Sequence, residues 1–330
     1  MRYVSTRGDT APMAFQDAVI TGLAPDGGLL VPASIPNVSD KLDYWRGLGF
    51  VDLAAEVMGC FIDDIPPEDL QALVERAYAS FDHPEVAPLV ELADLKVLEL
   101  FHGPTLAFKD IALQFLGQLF DYTLGNRGGR LNILGATSGD TGSAAISGVR
   151  GKGNVNIAVM FPRGRVSPLQ QLQMTTIRDA NVHCLSVAGS FDDCQSIMKR
   201  AFADLPFKTQ HDLGAVNSVN WARVLAQVVY YVYLSLRCDE GDGVDVSVPT
   251  GNFGNIFAAY IAREMGVPLG RLLLAPMKTI YFRYSSILET IAAELCTTPS
   301  APLWTFKSRA TSNVSSTLAL VRTVAALVTL

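Results

Sequence analysis

From residue 96 onward the chain alternates short β-rich runs with helical stretches, and this alternation restricts the fold more than any other feature. Residues 96–101, 131–136, 156–161, 183–188 and 245–249 are the β-rich runs, and helix-period segments lie between them. Such βαβ units build parallel strands, and an open parallel sheet takes its ligands beyond the carboxyl ends of those strands. The expected architecture is α/β, with parallel sheets flanked by helices and function in the loops that leave the strands. Residues 1–95 read differently. Helical periodicity dominates at 52–58 and 67–78, and the turn Pro25-Asp-Gly-Gly leads into a short strand at 29–31. A mostly helical N-terminal domain over 1–95 is expected, its boundary resting on the change of pattern.

The chain has 330 residues, 49% of them apolar and 18% charged, which is enough for two domains with real cores. The net charge is −6 and Lys and Arg form no cluster, so nucleic acid is not an expected partner. The five cysteines are an odd number without paired short spacing, which supports neither a disulfide framework nor a zinc site. No metal is expected. The first residues lack the apolar core of a signal peptide, and no run reaches the roughly 18 apolar residues of a membrane span. The expectation is a cytoplasmic protein acting on small molecules.

Three loops carry unusual chemistry. In Phe101-His-Gly-Pro-Thr-Leu-Ala-Phe-Lys-Asp110, Lys109 stands at the head of an apolar helical run. Partial desolvation there favours an uncharged, nucleophilic amine, and the alternative is a lysine that snorkels to the surface. After the run at 131–136 comes Ala136-Thr-Ser-Gly-Asp-Thr-Gly142, whose Thr137, Ser138 and Thr141 offer hydroxyls beside backbone N–H groups. Asp140 can equally cap the helix that follows. After the run at 245–249 comes Thr250-Gly-Asn-Phe-Gly-Asn255 and then a helix. Strand, glycine-rich turn and helix start make an anion site, or an ordinary βα turn that uses Gly and Asn for geometry. Two further segments, with Arg163, Arg165 and Ser167 and with Asn217, Ser218, Asn220 and Arg223, supply guanidinium groups and caps. His102 is given no proton-transfer role, and no Ser-His-Asp pattern is present.

These strings, in this order, resemble threonine synthases, pyridoxal 5'-phosphate (PLP) enzymes of the tryptophan-synthase-β type. The 101–110 segment is similar to the family's cofactor-lysine segment, which makes Lys109 the Schiff-base lysine. Gly251, Asn252, Phe253, Gly254 and Asn255 resemble the loop that holds the cofactor's phosphate. Ser138, Gly139, Asp140 and Thr141, with Thr137, resemble the loop that binds the amino acid carboxylate, with Asp140 near the cofactor. Arg163, Arg165, Ser167, Asn217, Ser218, Asn220 and Arg223 lie in family-like segments and are candidates for the substrate's phosphate. Tyr3-Val-Ser-Thr-Arg-Gly and Pro25-Asp-Gly-Gly-Leu resemble the family's extra N-terminal domain, which argues against dehydratases and cysteine synthases of the same fold. The resemblance implies a fold-type-II PLP enzyme that converts O-phospho-L-homoserine and water to L-threonine and phosphate, a carbon–oxygen lyase of threonine biosynthesis. Another PLP-dependent phospho-amino-acid lyase, or a non-catalytic paralogue that binds PLP or a phosphate ligand, stays open.

The resemblance covers residues 1 to about 274 and then stops, so residues 96–274 read as an incomplete catalytic domain. Residues 275–330 read as an out-of-frame tail. Regrouping codons from the last base of Ala275 permits Thr-Asn-Glu-Asn-Asp, with the Glu fixed, which is similar to the family's continuation. The same frame from the last base of Thr298 permits the seventeen residues TLSPSMDIQVASNFERL, with the Asp forced by Trp304 and Thr305. The resemblance then implies loss of the hydroxyl partner for the pyridine nitrogen, and a poorly soluble, inactive chain.

Overall fold

Two helices of this chain are apolar on nearly every face, and a helix without a polar face has to sit in a core. Both sit there in a computed structural model that describes residues 1–93, 95–238, 243–276 and 305–306. The N-terminal part contains β1 (Tyr3–Ser5), α1 (Phe15–Thr21), β2 (Leu30–Pro32), α2 (Leu42–Trp45), α3 (Phe50–Gly59) and α4 (Pro67–Tyr78). A hairpin follows, β3 (Leu89–Leu92) and β4 (Leu95–Leu98), and then the first apolar helix, α5 (Lys109–Arg127). Next come β5 (Leu131–Ala136), α6 (Asp140–Val149), β6 (Val155–Pro162), α7 (Pro168–Thr175), β7 (Val182–Val187), α8 (Phe191–Ala203), α9 (Leu205–Gln210) and β8 (Leu213–Gly214). The second apolar helix, α10 (Trp221–Arg237), leads to β9 (Val244–Thr250), α11 (Gly254–Glu264), β10 (Leu269–Pro276) and the two-residue β11 (Thr305–Phe306).

The expected parallel architecture is present as two sheets. One has the order β7-β6-β5-β8, all parallel. The other pairs β9 with β10 in parallel, with β11 antiparallel at Leu272 and Leu273. One expected strand is corrected. Residues 96–101 do not join a parallel sheet, because Leu95–Leu98 pairs antiparallel with Leu89–Leu92 across a tight turn in which Ala93 has φ 52°. A β-rich run two residues from another closes locally before it can reach a distant sheet.

The boundary expected near residue 95 marks this hairpin and is not a gap in the core. Trp221 of α10 meets the ring of Phe61 at 5.6 Å and of Tyr3 at 6.3 Å, and Tyr233 meets Phe50 at 5.3 Å. Asn220 also donates to the Val19 carbonyl at 2.8 Å, buried, tying the end of α1 to the start of α10. Most of the tail at 275–330 lies outside the described residues. Among the described residues no helix is long and apolar enough to cross a membrane. The described cysteines, Cys60, Cys184, Cys194 and Cys238, are free thiols.

Helices α5 and α6 approach backbone to backbone. A Cβ on Gly117 would collide with the Gly148 carbonyl oxygen, and a Cβ on Gly148 with the Leu113 carbonyl oxygen. Nothing on either side is a flexible side chain end, so a larger residue has to separate the helices. We predict that Gly148→Ala costs about 2–3 kcal/mol of stability, the upper range for overpacking. A urea midpoint within about 0.5 kcal/mol of the parent's, a size ordinary for surface changes, would contradict this crossing.

Candidate active site

The close crossing of α5 and α6 places the first residues of both helices together. Lys109 opens α5 and Asp140 opens α6, and Nζ donates to Oδ2 at 2.7 Å. The lysine side chain is 16% exposed and the carboxylate 43%, so the pair is reachable from solvent and not sealed in the core. A carboxylate in the first turn of a helix is favoured by the helix dipole, and Oδ1 also accepts from the Thr141 N–H at 2.9 Å. The sequence suggested a nucleophilic amine, and the structure gives that amine this carboxylate as its hydrogen-bond partner.

The turn before Lys109 is fixed from within. Asp110, fully buried, accepts from the Thr105 N–H at 2.8 Å and the Thr105 hydroxyl at 2.7 Å. Gln173 of α7 donates to the Thr105 carbonyl at 3.0 Å. The lysine is therefore carried on a braced turn, and the role of Asp110 is visible only in the fold.

Some candidate hydroxyls are taken by the loops themselves. Thr137 is 2% exposed, and its Oγ1 accepts from Gly139 N at 3.0 Å and Gly142 N at 2.9 Å. It holds the turn and does not offer its hydroxyl to a substrate. The capping role considered for Asp140 falls to Thr137 instead, since the carboxylate faces Lys109. Ser167 is the N-cap of α7 and accepts from Gln170 N at 3.3 Å. Asn220 caps α10 through Oδ1, accepting from Ala222 N at 3.0 Å, while its Nδ2 holds Val19. Ser138 remains exposed, Gly139 is the buried N-cap of α6, and Thr141 is half-buried. Arg163 and Arg165 are exposed after β6, and no described contact joins either of them to Lys109 or Asp140.

Arg223, in the first turn of α10, is 4% exposed, and its Nε and Nη1 find no hydrogen-bond partner among the described residues. Burial pushes its pKa down to about 10, with the charge of Asp140 acting in the opposite sense. Asn217 nearby in sequence has a buried, unpartnered Oδ1. Buried guanidinium donors without partners each cost about 1–3 kcal/mol, and an anion that reached them would remove that cost.

At the end of β9 the chain turns through Gly251, the exposed Asn252 and the buried Phe253 into α11. No side chain caps this helix, so its first-turn N–H groups are available to an anion. A Cβ on Gly254 would stand 3.4 Å from the Ser218 carbonyl oxygen, which shows how tightly the 217–223 segment and this loop pack. Asn255 accepts at Oδ1 from the hydroxyls of Tyr230 and Tyr231, the latter at 2.8 Å. The sequence reading did not single out these tyrosines. The sequence signals only that two adjacent phenols in a largely apolar helix need partners, and not that Asn255 is the partner. His102, given no catalytic role, bridges Asp82 at 3.1 Å and Glu99 at 2.8 Å at the base of the hairpin.

A protein-family model described as "Threonine synthase N terminus" matches residues 2–78. The chain is 50% identical over 288 residues to a threonine synthase of Schizosaccharomyces pombe, covering 83% of this chain and 56% of that one. It is 50% identical to a threonine synthase of Pseudomonas aeruginosa, covering 83% and 60%. Among solved structures, a PLP-bound threonine synthase from Brucella melitensis superposes with TM-score 0.80 at 48% identity, covering 83% of this chain and 60% of that chain. The threonine synthase of Escherichia coli superposes with TM-score 0.77 at 34% identity, covering 91% and 68%. The chain thus spans a little over half the length of the curated relatives it matches.

The orphaned donors of Arg223 give a direct test of the site. We predict that Arg223→Met leaves the ligand-free chain no less stable than the parent, since it removes a buried charge with unpartnered donors. The same change removes any stabilisation by added inorganic phosphate or PLP in thermal melts. A loss above about 2 kcal/mol without ligand would mean that the guanidinium is a structural partner.

Proposed function

The chain belongs to the threonine synthase family, and from that premise we propose that its site holds pyridoxal 5'-phosphate and acts on O-phospho-L-homoserine to give L-threonine and phosphate. The observation that carries this reading is the juxtaposition of an amine, a carboxylate and a buried cation with unpartnered donors: Lys109, Asp140 and Arg223. The residues present fit such a cofactor. An aldehyde needs one accessible amine, and Lys109 keeps 16% of its side chain exposed. A phosphate needs N–H donors and positive charge, and the uncapped start of α11, with Asn255 in its first turn, and Arg223 supply those.

Once bound, the cofactor supplies an electron sink that makes substrate C–H bonds acidic. The protein's own part is position and proton transfer. Lys109 takes and returns protons at the substrate's Cα and Cβ, with Asp140 in hydrogen-bond reach to hold its side chain in place between transfers. Ser138, Gly139 and Thr141 at the start of α6 orient the carboxylate, with the exposed Ser138 and half-buried Thr141 offering their hydroxyls beside the helix start. Arg163 and Arg165, exposed beside the α7 start, meet the substrate's own phosphate dianion. Thr137, Ser167 and Asn220 shape these loops without touching the substrate.

The comparisons with the curated threonine synthases cover 83% of the 330 residues, about 274 of them. That extent agrees with a resemblance over residues 1 to about 274. It also favours a second reading, in which the site binds the cofactor but does not complete the reaction because the family's residues beyond 274 are not encoded in frame.

Two measurements separate these. Borohydride reduction of the PLP-treated chain, followed by peptide mapping, is expected to label Lys109, and Lys109→Ala is expected to lose the label. A label on Lys96 or Lys152 instead would overturn the cofactor assignment. Resequencing the coding DNA around codon 275 tests the tail. Third bases that cannot yield the shifted strings, or sustained threonine formation by the 330-residue product, would sink the out-of-frame reading.

A further inference from the structure

Tyr230 and Tyr231 are 0% and 3% exposed, with ring centroids 4.8 Å apart, in a stretch of α10 that is otherwise Val, Ala and Leu around one glutamine. Both hydroxyls leave α10 toward one atom, Oδ1 of Asn255 in the first turn of α11. Tyr231 reaches it at 2.8 Å. Tyr230 has one hydroxyl hydrogen and two acceptors in range, Gln227 Oε1 at 3.3 Å and the nearer Asn255 Oδ1, so the nearer oxygen takes it. Gln227 cannot offer its nitrogen in exchange, because Nε2 donates to the Arg223 carbonyl at 2.9 Å.

An asparagine amide can sit in either of two orientations related by a flip, and its surroundings decide which. A phenol can accept as well as donate, but Asn255 is the acceptor for the Tyr231 hydroxyl hydrogen, and only the amide oxygen on that side takes it. Burial raises the pKa of both phenols, so they stay protonated and stay donors. Nδ2 is then turned away from the tyrosines, and among the described residues it has no acceptor. Asn255 is half-buried, and its position in the first turn puts Nδ2 beside the uncapped N–H groups of α11.

We propose that Tyr230 and Tyr231 are positioning residues that lock the Asn255 amide with its nitrogen outward, as a donor to the phosphate of the cofactor. The inference rests on the reading above that the 251–255 loop holds that phosphate. Without the tyrosines the amide is free to flip and present its carbonyl oxygen to an anion, which repels it. The pair thus selects for a phosphate-bearing ligand without touching it.

The test compares two probes on the full chain, pyridoxal 5'-phosphate and pyridoxal, which differ only in the phosphate. Affinity is read by absorbance titration and by borohydride-trapped label at Lys109. The parent should prefer the phosphorylated probe. Tyr231→Phe and Tyr230→Phe should each weaken pyridoxal 5'-phosphate about fivefold to tenfold, the scale of one ordinary hydrogen bond, and leave pyridoxal unchanged. Asn255→Asp keeps the size and both tyrosine bonds while placing an oxygen where the nitrogen stood, so it should weaken only the phosphorylated probe, by more than tenfold. An equal loss for both probes would show a general structural role and overturn the inference. A parent-like preference in the tyrosine variants overturns it alone, whereas a parent with no preference for the phosphorylated probe overturns the loop reading and the inference together.

Discussion

Everything at this site depends on two helices that touch through glycine. Because neither Gly117 nor Gly148 carries a side chain, α5 and α6 pack backbone to backbone, and their first residues share one end of the crossing. Lys109 and Asp140 are 31 residues apart in sequence and 2.7 Å apart in space. A wider crossing would leave the amine and the carboxylate on separate loops. The remaining supports act on the same corner: Asp110 fixes the turn that delivers Lys109, and Gln173 pins that turn to α7. Thr137 closes the loop that delivers Asp140.

Charge is distributed so that this corner favours an anion. Arg223 is buried with two unpartnered nitrogens, an arrangement that costs stability in a fold with nothing bound. The uncapped start of α11 adds positive potential from N–H groups that no side chain uses. Asp140 limits the excess, because it balances Lys109 and its charge acts on Arg223 as well. A ligand carrying a phosphate and an electrophilic carbon meets complementary groups at both ends.

The alternation of strand and helix made the parallel sheets legible, because a two-residue period followed by a 3.6-residue period reports only local geometry. The same local logic misled at residues 96–101, where a partner strand two residues away captured the run into a hairpin. While the roles read for them came from the family resemblance, the places of Lys109 at a helix head and of residues 251–255 between a strand and a helix were legible from periodicity and glycine. Hydroxyls and amides were not. Thr137, Ser167 and Asn220 each precede a helix, where a ligand contact and a cap demand the same residue types, and only the backbone angle decides between them. The burial of Arg223 and the pairing of Tyr230 and Tyr231 with Asn255 were illegible for another reason. They depend on how α10 packs against α11, which no sequence spacing records.

The polar groups of these loops therefore fall into two sets, and the division carries more information than the list of residues. Thr137, Ser167, Asn220 and Asp110 satisfy their hydrogen bonds within the chain and fix shape. Arg223, Asn217 and the start of α11 do not, and a fold tolerates buried polar groups without partners at few places. Arg223 contributes two unpartnered donors, and the charge of Asp140, the carboxylate bonded to Lys109, acts on it. A site for a metal or a cation would show the opposite balance, with oxygen acceptors left over. Among the described residues no group of three or more His, Cys, Asp or Glu could hold a metal ion, and the unpartnered nitrogens of Arg223, on which the Lys109-bonded Asp140 acts, support the phosphate-bearing ligand proposed above.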